Sequence, residues 1–316
     1  MSAGRGVQAN VTQGKQTQRN FHGVAVDAGS GLEASIREAR GSAASSDDLF
    51  VFKKTVLQVL GAGANTVLVD AALGSDLLTY YPGNCQKMLA YEADVYHMSD
   101  EDRITILPDN LDVEDYPELG VDQLKFFMYY APDDDAGLNA RKQDVIEKLG
   151  KRCRENNLRF LMEPLVYHPT LSSGTREYAE LKPDLVRRAT EVFAEERFHA
   201  DVLKVEIPVD LAFVEGFGEP LMSHRQALDA FVTAAEPAGA GEIDLVYLSA
   251  GVSFDWFKAS LQMAAEAGVS FNGFMCGRAL WADAVEIYGK EGEVGLRSWL
   301  ESTGRKRLDI LISQLA

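Results

Sequence analysis

Short apolar runs recur along the chain, and the stretches between them place apolar residues at helical spacing. The runs are His22–Ala28, Thr66–Ala72, Lys87–Glu92, Gln123–Ala131, Arg159–Tyr167, Asp201–Val209, Asp244–Gly251 and Phe271–Gly277. Several are apolar at successive positions (VLVDAAL, LRFLMEPLVY, LVYLSAGV), as expected of strands covered on both faces. Between them, Asp144–Cys153 aligns Val145, Ile146, Leu149 and Cys153 on one stripe. Asp184–Arg197 does the same with Leu185, Val186, Ala189, Val192 and Phe193. Further helices fit Asp47–Leu60, Ser223–Ala235, Phe254–Ala267 and Ala282–Tyr288, with Asp47 and Ser223 as N-caps and Gly63 and Gly268 as stops.

Strands alternating with helices imply parallel pairing through right-handed crossovers. The pattern predicts an α/β fold with eight strands: a single closed (β/α)8 TIM barrel over residues 21–316 with extra C-terminal helices. A doubly wound open sheet is the rival. Residues 1–20, rich in Gly, Gln, Thr and Asn, read as a flexible tail. The weak point is the segment 107–121, where the helix after the third strand is short and interrupted by Pro117.

Composition narrows the partners. The 316 residues carry 31 Lys+Arg against 48 Asp+Glu, a net charge of −17, which argues against nucleic acid as a partner. No run of apolar residues is long enough for a signal-peptide core in the first twenty residues or for a membrane span elsewhere, so the chain reads as soluble and cytoplasmic, with no membrane partner. Cys85, Cys153 and Cys276 are too few for a disulfide framework. The five histidines form no HxH or HExxH pair, so no metal is expected. Oligomeric assembly stays open, a homo-oligomer being compatible with everything here.

Strand alternation then sorts the charged residues. In Val202–Ile207 the side chains of 202, 204 and 206 share a face, so Lys204 and Glu206 either fill the barrel as an ion-paired layer or line an internal site. Lys125 lies in an equally apolar run. Two lysines converging in one apolar interior would repel and be desolvated, lowering an amine's pKa toward nucleophilicity. Glu163 carries the same burial problem with the opposite sign, toward a value suited to proton transfer. Asp27 and Asp70 end the first two runs, where an acid is commonly an N-cap or surface residue. The ends of the seventh and eighth runs hold Ser249, Gly251, Gly277 and Arg278. Loops there often bind phosphate through glycine N–H groups, and Arg278 adds a fork of donors, although ordinary tight turns would read the same way. No P-loop or GxGxxG motif competes, and Ser249 has no neighbouring His to make it a hydrolase nucleophile.

The stretches LKPDLV, FAEERFHADVLKVEIPVDLAFVEGF, VYLSAGVS and FNGFMCGRALWADAV, with VAVD, LKFFMYY and MEPLVY upstream, resemble the class I tagatose-1,6-bisphosphate aldolase family, which also includes sulfofructosephosphate aldolases. The resemblance implies a metal-free barrel that reversibly cleaves a ketose phosphate, through a lysine Schiff base, to dihydroxyacetone phosphate and an aldehyde. It makes Lys204 the imine-forming nucleophile and Glu163 the proton shuttle, and it places Lys125 and Asp27 at polar active-site positions. Ser249, Gly277 and Arg278 match positions that grip the anionic group of the dihydroxyacetone half, and the partner is a small sugar phosphate with no organic cofactor. One departure stands out: the family's Asp-Gln-Arg after the first strand is Asp27-Ala28-Gly29 here. Its loss removes a charge-assisted contact worth roughly 1.5–3 kcal/mol at the substrate's far end. His22, His168 and Arg176 are the candidates to compensate. Three other readings remain: the same chemistry on sulfofructose phosphate or a monophosphate, a sugar-phosphate-binding regulator that has lost turnover, and a barrel isomerase that makes no imine.

Overall fold

In the computed structural model, residues 20–94 and 102–315 are described; the tail expected over 1–20 lies, but for Asn20, outside them. The strands are β1 (Phe21–Ala25), β2 (Thr66–Val69), β3 (Gln86–Ala90), β4 (Gln123–Tyr130), β5 (Arg159–Val166), β6 (Val202–Glu206), β7 (Asp244–Leu248) and β8 (Gly273–Cys276). Every neighbouring pair is parallel, in sequence order, and β8 returns to pair with β1, so the sheet is a closed barrel and the open doubly wound alternative is excluded. The closing seam is tight. Gly273 has φ +146°, and a Cβ there would fall 1.8 Å from the Phe21 carbonyl oxygen, so only glycine lets the last strand meet the first.

The helices are α1 (Ser30–Arg40), α2 (Ser46–Gly61), α3 (Ala71–Leu77), α4 (Asp115–Glu118), α5 (Ala136–Glu155), α6 (Arg176–Phe193), α7 (His224–Ala240), α8 (Phe254–Glu266), α9 (Arg278–Trp281), α10 (Asp283–Trp299) and α11 (Arg305–Ile312). Both α10 and α11 follow the last strand, in line with the extra C-terminal helices expected. Several boundaries shift from the expected ones. Ser45, not Asp47, caps α2, through a capping box in which Asp48 answers the Ser45 hydroxyl. That helix already ends at Gly61, two residues before Gly63. Ser223 caps α7 as expected, in a second box with Gln226. The helix α6 starts and ends earlier than Asp184–Arg197, and α5 and α10 are longer than their apolar stripes. The weak segment after β3 holds only the four-residue α4.

Two apolar bodies make the core. One lies between barrel and helices. The other, which includes Phe21, Leu68, Met88, Leu161, Val202 and Met275, fills the barrel lumen from alternate strand positions. Following those inward positions toward the strands' C-terminal ends leads from hydrocarbon to charge.

Candidate active site

Three strands deliver charged side chains to one level of the lumen. Lys125 follows Gln123 on the inward face of β4, Glu163 follows Leu161 on β5, and Lys204 follows Val202 on β6. Register sets the contact: Glu163 and Lys204 each lie one residue beyond the paired Met162 and Leu203. Lys204 Nζ donates to Glu163 Oε2 at 3.1 Å, and Lys125 Nζ lies 3.1 Å from the same oxygen. Lys125 also donates to Asp27 Oδ2 at 3.2 Å and to Glu92, which stands two residues past β3. One carboxylate oxygen therefore faces two ammonium groups, and one ammonium group faces three carboxylates.

This asymmetry corrects an expectation. Burial alone would lower the Lys125 pKa, but the charges of Glu163, Glu92 and Asp27 overcome it and hold the amine well above its ordinary range. Lys125 stays charged. At Asp27, burial pushes the carboxyl upward, but the positive charges of Lys125 and Lys204 outweigh it and leave it below the usual value. Glu92 is fully enclosed, and burial prevails over Lys125 to push it up to about 7. Its second oxygen has no partner in the structure. Sequence reasoning used Glu92 only as the end of a run. The signal was available, since residues 88, 90 and 92 share the face that carries Met88 and Ala90 inward.

Above this layer opens a cavity of about 600 Å³ lined by Asp27, Lys125, Glu163 and Lys204 and, on the β7–β8 side, by Ser249, Gly251, Gly277 and Arg278. All eight expected site residues thus border one space. Ala250 (φ +47°) and Gly251 (φ +79°) form a left-handed turn after β7. A Cβ on Gly251 would come 2.9 Å from Arg278 Cζ, so the guanidinium lies flat against that backbone. Glu206 lines the cavity on the far side, where its carboxylate accepts from the Val166 N–H at 3.2 Å and pairs with Lys182 of α6 at 3.3 Å. Burial raises the Glu206 pKa, with Lys182 opposing. Lys182 had no assigned part in the sequence reading, although it stands in LKPDLV.

Other candidates fall elsewhere. Asp70 occupies the N-cap position of α3 but makes no side-chain cap bond; it pairs with Lys53, a lysine of α2 with no exposure, and neither lines the cavity. His22 sits at the opposite end of β1 from Asp27, its N–H on Asn65 Oδ1, and cannot compensate for the missing arginine. The Nδ1 of His168 is engaged by the N–H groups of Thr170 and Leu171, and the exposed Arg176 donates to the Pro220 carbonyl. Neither lines the cavity, nor does any residue of 107–121. Among the described residues, no three His, Cys, Asp or Glu side chains are grouped to hold a metal ion, and the space between Asp27, Glu92 and Glu163 is filled by Lys125. All three cysteines are free and buried. Among the described residues no helix is long and apolar enough to cross a membrane.

A closed parallel barrel with a lysine–carboxylate centre at its C-terminal mouth is the architecture of a barrel enzyme. The chain belongs to the DeoC/LacD aldolase family, whose model matches residues 22–283. It is an aldolase, a carbon–carbon lyase. The tagatose 1,6-diphosphate aldolase of Listeria monocytogenes is 33% identical over 310 residues, covering 95% of this chain and 91% of the relative. That of Lactococcus lactis is 39% identical over 286 residues, covering 89% and 85%. Among solved structures, the fructose-bisphosphate aldolase of Plasmodium falciparum superposes with a TM-score of 0.72 at 14% identity, over 95% of this chain and 92% of that one, a likeness of fold.

Proposed function

We propose that the protein cleaves a ketose 1-phosphate reversibly to dihydroxyacetone phosphate and an aldehyde, with Lys204 as the imine-forming amine. The observation that carries this reading is the contrast between the two lysines. Lys125 is locked among three carboxylates, whereas Lys204 pairs, among the described residues, with Glu163 alone and borders the open cavity. The Lys204 amine adds to the C2 carbonyl and water leaves, giving a protonated imine. Glu163 takes the proton from the C4 hydroxyl. The electrons of the C3–C4 bond then flow into the imine, releasing the aldehyde and leaving an enamine. Protonation at C3 and hydrolysis free dihydroxyacetone phosphate and restore the amine.

The remaining residues follow from their places. Lys125 keeps Asp27 ionised and fixes the direction of both Asp27 and Glu163, and Asp27 accepts from a substrate hydroxyl. Ser249, Gly251, Gly277 and Arg278 take the C1 phosphate, an anion that an arginine fork binds well. The relatives named above act on tagatose 1,6-diphosphate, which makes that sugar and its epimers the first substrates to try. A second reading has its own support. Position 29 is glycine and faces the Asp94 carboxylate, so no cation stands there, and a far end other than phosphate, such as a sulfonate or a neutral group, belongs in the panel.

The test is cleavage of tagatose and fructose 1,6-bisphosphates, 6-sulfofructose 1-phosphate and fructose 1-phosphate, read as dihydroxyacetone phosphate released. Activity on at least one, lost in Lys204→Ala and indifferent to EDTA, is expected. Activity that survives Lys204→Ala and disappears with EDTA would overturn the reading.

A further inference from the structure

We propose that Glu206 is a positioning residue for the aldol cleavage: its carboxylate bridges a gap in the ladder between β5 and β6 and thereby holds Glu163 against Lys204. This deepens the aldolase reading and rests on it. The gap originates in the sequence. The Phe160 carbonyl of β5 accepts from the Asp201 N–H, just ahead of β6, whereas the Tyr167 N–H, just past β5, donates to Tyr130 of β4. Backbone groups of residues 160, 162, 164 and 166 therefore face β6. Position 164 is proline, which has no N–H to give, and a closed barrel has no edge strand to accommodate it. Pairing between β5 and β6 stops at Met162–Leu203, although β5 stays paired to β4 as far as Val166 and β6 to β7 as far as Glu206.

Side chains complete what the ladder leaves open. Val166, the next residue whose backbone faces β6, donates its N–H to one Glu206 oxygen at 3.2 Å, and its carbonyl accepts from the Tyr178 hydroxyl at 3.0 Å. Lys182, four residues after Tyr178 on the same face of α6, meets the other Glu206 oxygen at 3.3 Å. The helix α6 thus clamps both strands across the gap. Glu163 and Lys204 stand on opposite sides of it, one residue past the last paired couple, so no ladder pair at their level sets the 3.1 Å between them. Glu206 is tied to both. It lies two residues beyond Lys204 on the same face of β6, and it grips β5 three residues beyond Glu163. The distances at stake are small: a catalytic group misplaced by about 1 Å costs on the order of 10²-fold in rate.

The experiment measures kcat and KM separately on whichever sugar of the panel above the wild type turns over. Glu206→Leu should lower kcat roughly 10- to 100-fold with KM within about threefold of the wild type. Glu206→Gln, whose amide oxygen still accepts the Val166 N–H, should recover most of that loss. A double-mutant cycle with Glu163→Gln then separates positioning from general damage. Because Glu206 acts through Glu163, Glu206→Leu should cost little further kcat once that carboxylate is gone. Equal losses in both backgrounds, a loss confined to KM, or an unchanged kcat would overturn the proposal. Should Glu206→Leu fail to fold, Lys182→Met, which leaves the carboxylate in place but untethered, goes through the same cycle with a smaller expected loss of roughly 3- to 10-fold. Borohydride trapping of dihydroxyacetone phosphate, run on the same proteins, distinguishes the two levels. Trapping in the wild type with an additive cycle sinks Glu206 alone, whereas no trapping in the wild type sinks the aldolase reading beneath it.

Discussion

Both ends of the barrel lumen hold interacting polar side chains, yet only the C-terminal one opens onto a cavity lined by lysines and carboxylates. At the N-terminal end, Arg159 pairs with Asp244, and Asn272 donates to the other oxygen of that aspartate at 2.7 Å while accepting from the Leu245 N–H. Beside them Gln123 donates to Gln86 at 2.6 Å. Among the described residues a cation is paired with an anion and amides hydrogen-bond beside them, an arrangement that fixes strand register. At the C-terminal end two ammonium groups share one carboxylate oxygen, a third carboxyl sits near neutrality, and a cavity stands open above. On the proposed function, the same amino-acid types serve as filling at one end and as chemistry at the other. Matched pairing and closure mark the first; mismatched pairing and access mark the second.

That comparison can be broken from either side. The largest effect is expected at Glu163→Gln, which leaves Lys204 without its acid–base partner. We expect kcat to fall about 10²–10⁴-fold, while the denaturation midpoint stays near that of the wild type. A loss of stability without a loss of kcat would make the upper layer mere filling.

Arg159→Met should behave in the opposite way. It removes the guanidinium that Asp244 pairs with in the barrel floor, so chemical denaturation should show a loss of up to roughly 3–5 kcal/mol, with kcat per folded molecule retained. If kcat fell with little change in stability, the division between the two ends would fail.

The smallest effect concerns Glu92. A carboxyl held at about 7 when folded, above its ordinary value, contributes stability that is present at low pH and fades as pH rises through 7. Wild-type stability should therefore decline between about pH 5 and 7 more steeply than that of Glu92→Gln, as followed by denaturant midpoints across that range. Identical slopes would remove Glu92 as a titrating group.

The barrel was legible because parallel strands buried on both faces leave unbroken apolar runs, and all eight runs became strands in order. The helix α1 was not, since SGLEASIREAR buries only Leu32 and Ile36 and shows too thin a stripe. Alternation along β4, β5 and β6 sent Lys125, Glu163 and Lys204 into the lumen correctly. It could not say which lysine would meet three acids, because Asp27 lies 98 residues from Lys125 in the chain and Glu92 lies 33 away. That pairing depends on barrel register, and it reverses the pKa direction that desolvation and like charge alone would give Lys125. The buried Lys53–Asp70 pair escaped for a related reason: an apolar helix stripe containing a lysine gives no hint of the strand end it will meet.

The central claim is that the two lysines divide the work, Lys204 reacting and Lys125 holding charge. It is tested most directly by reducing the wild-type protein with borohydride in the presence of dihydroxyacetone phosphate and mapping the adduct by peptide mass spectrometry. A single modification on the peptide containing Lys204 is the expected result; an adduct on Lys125, or none at all, would contradict it.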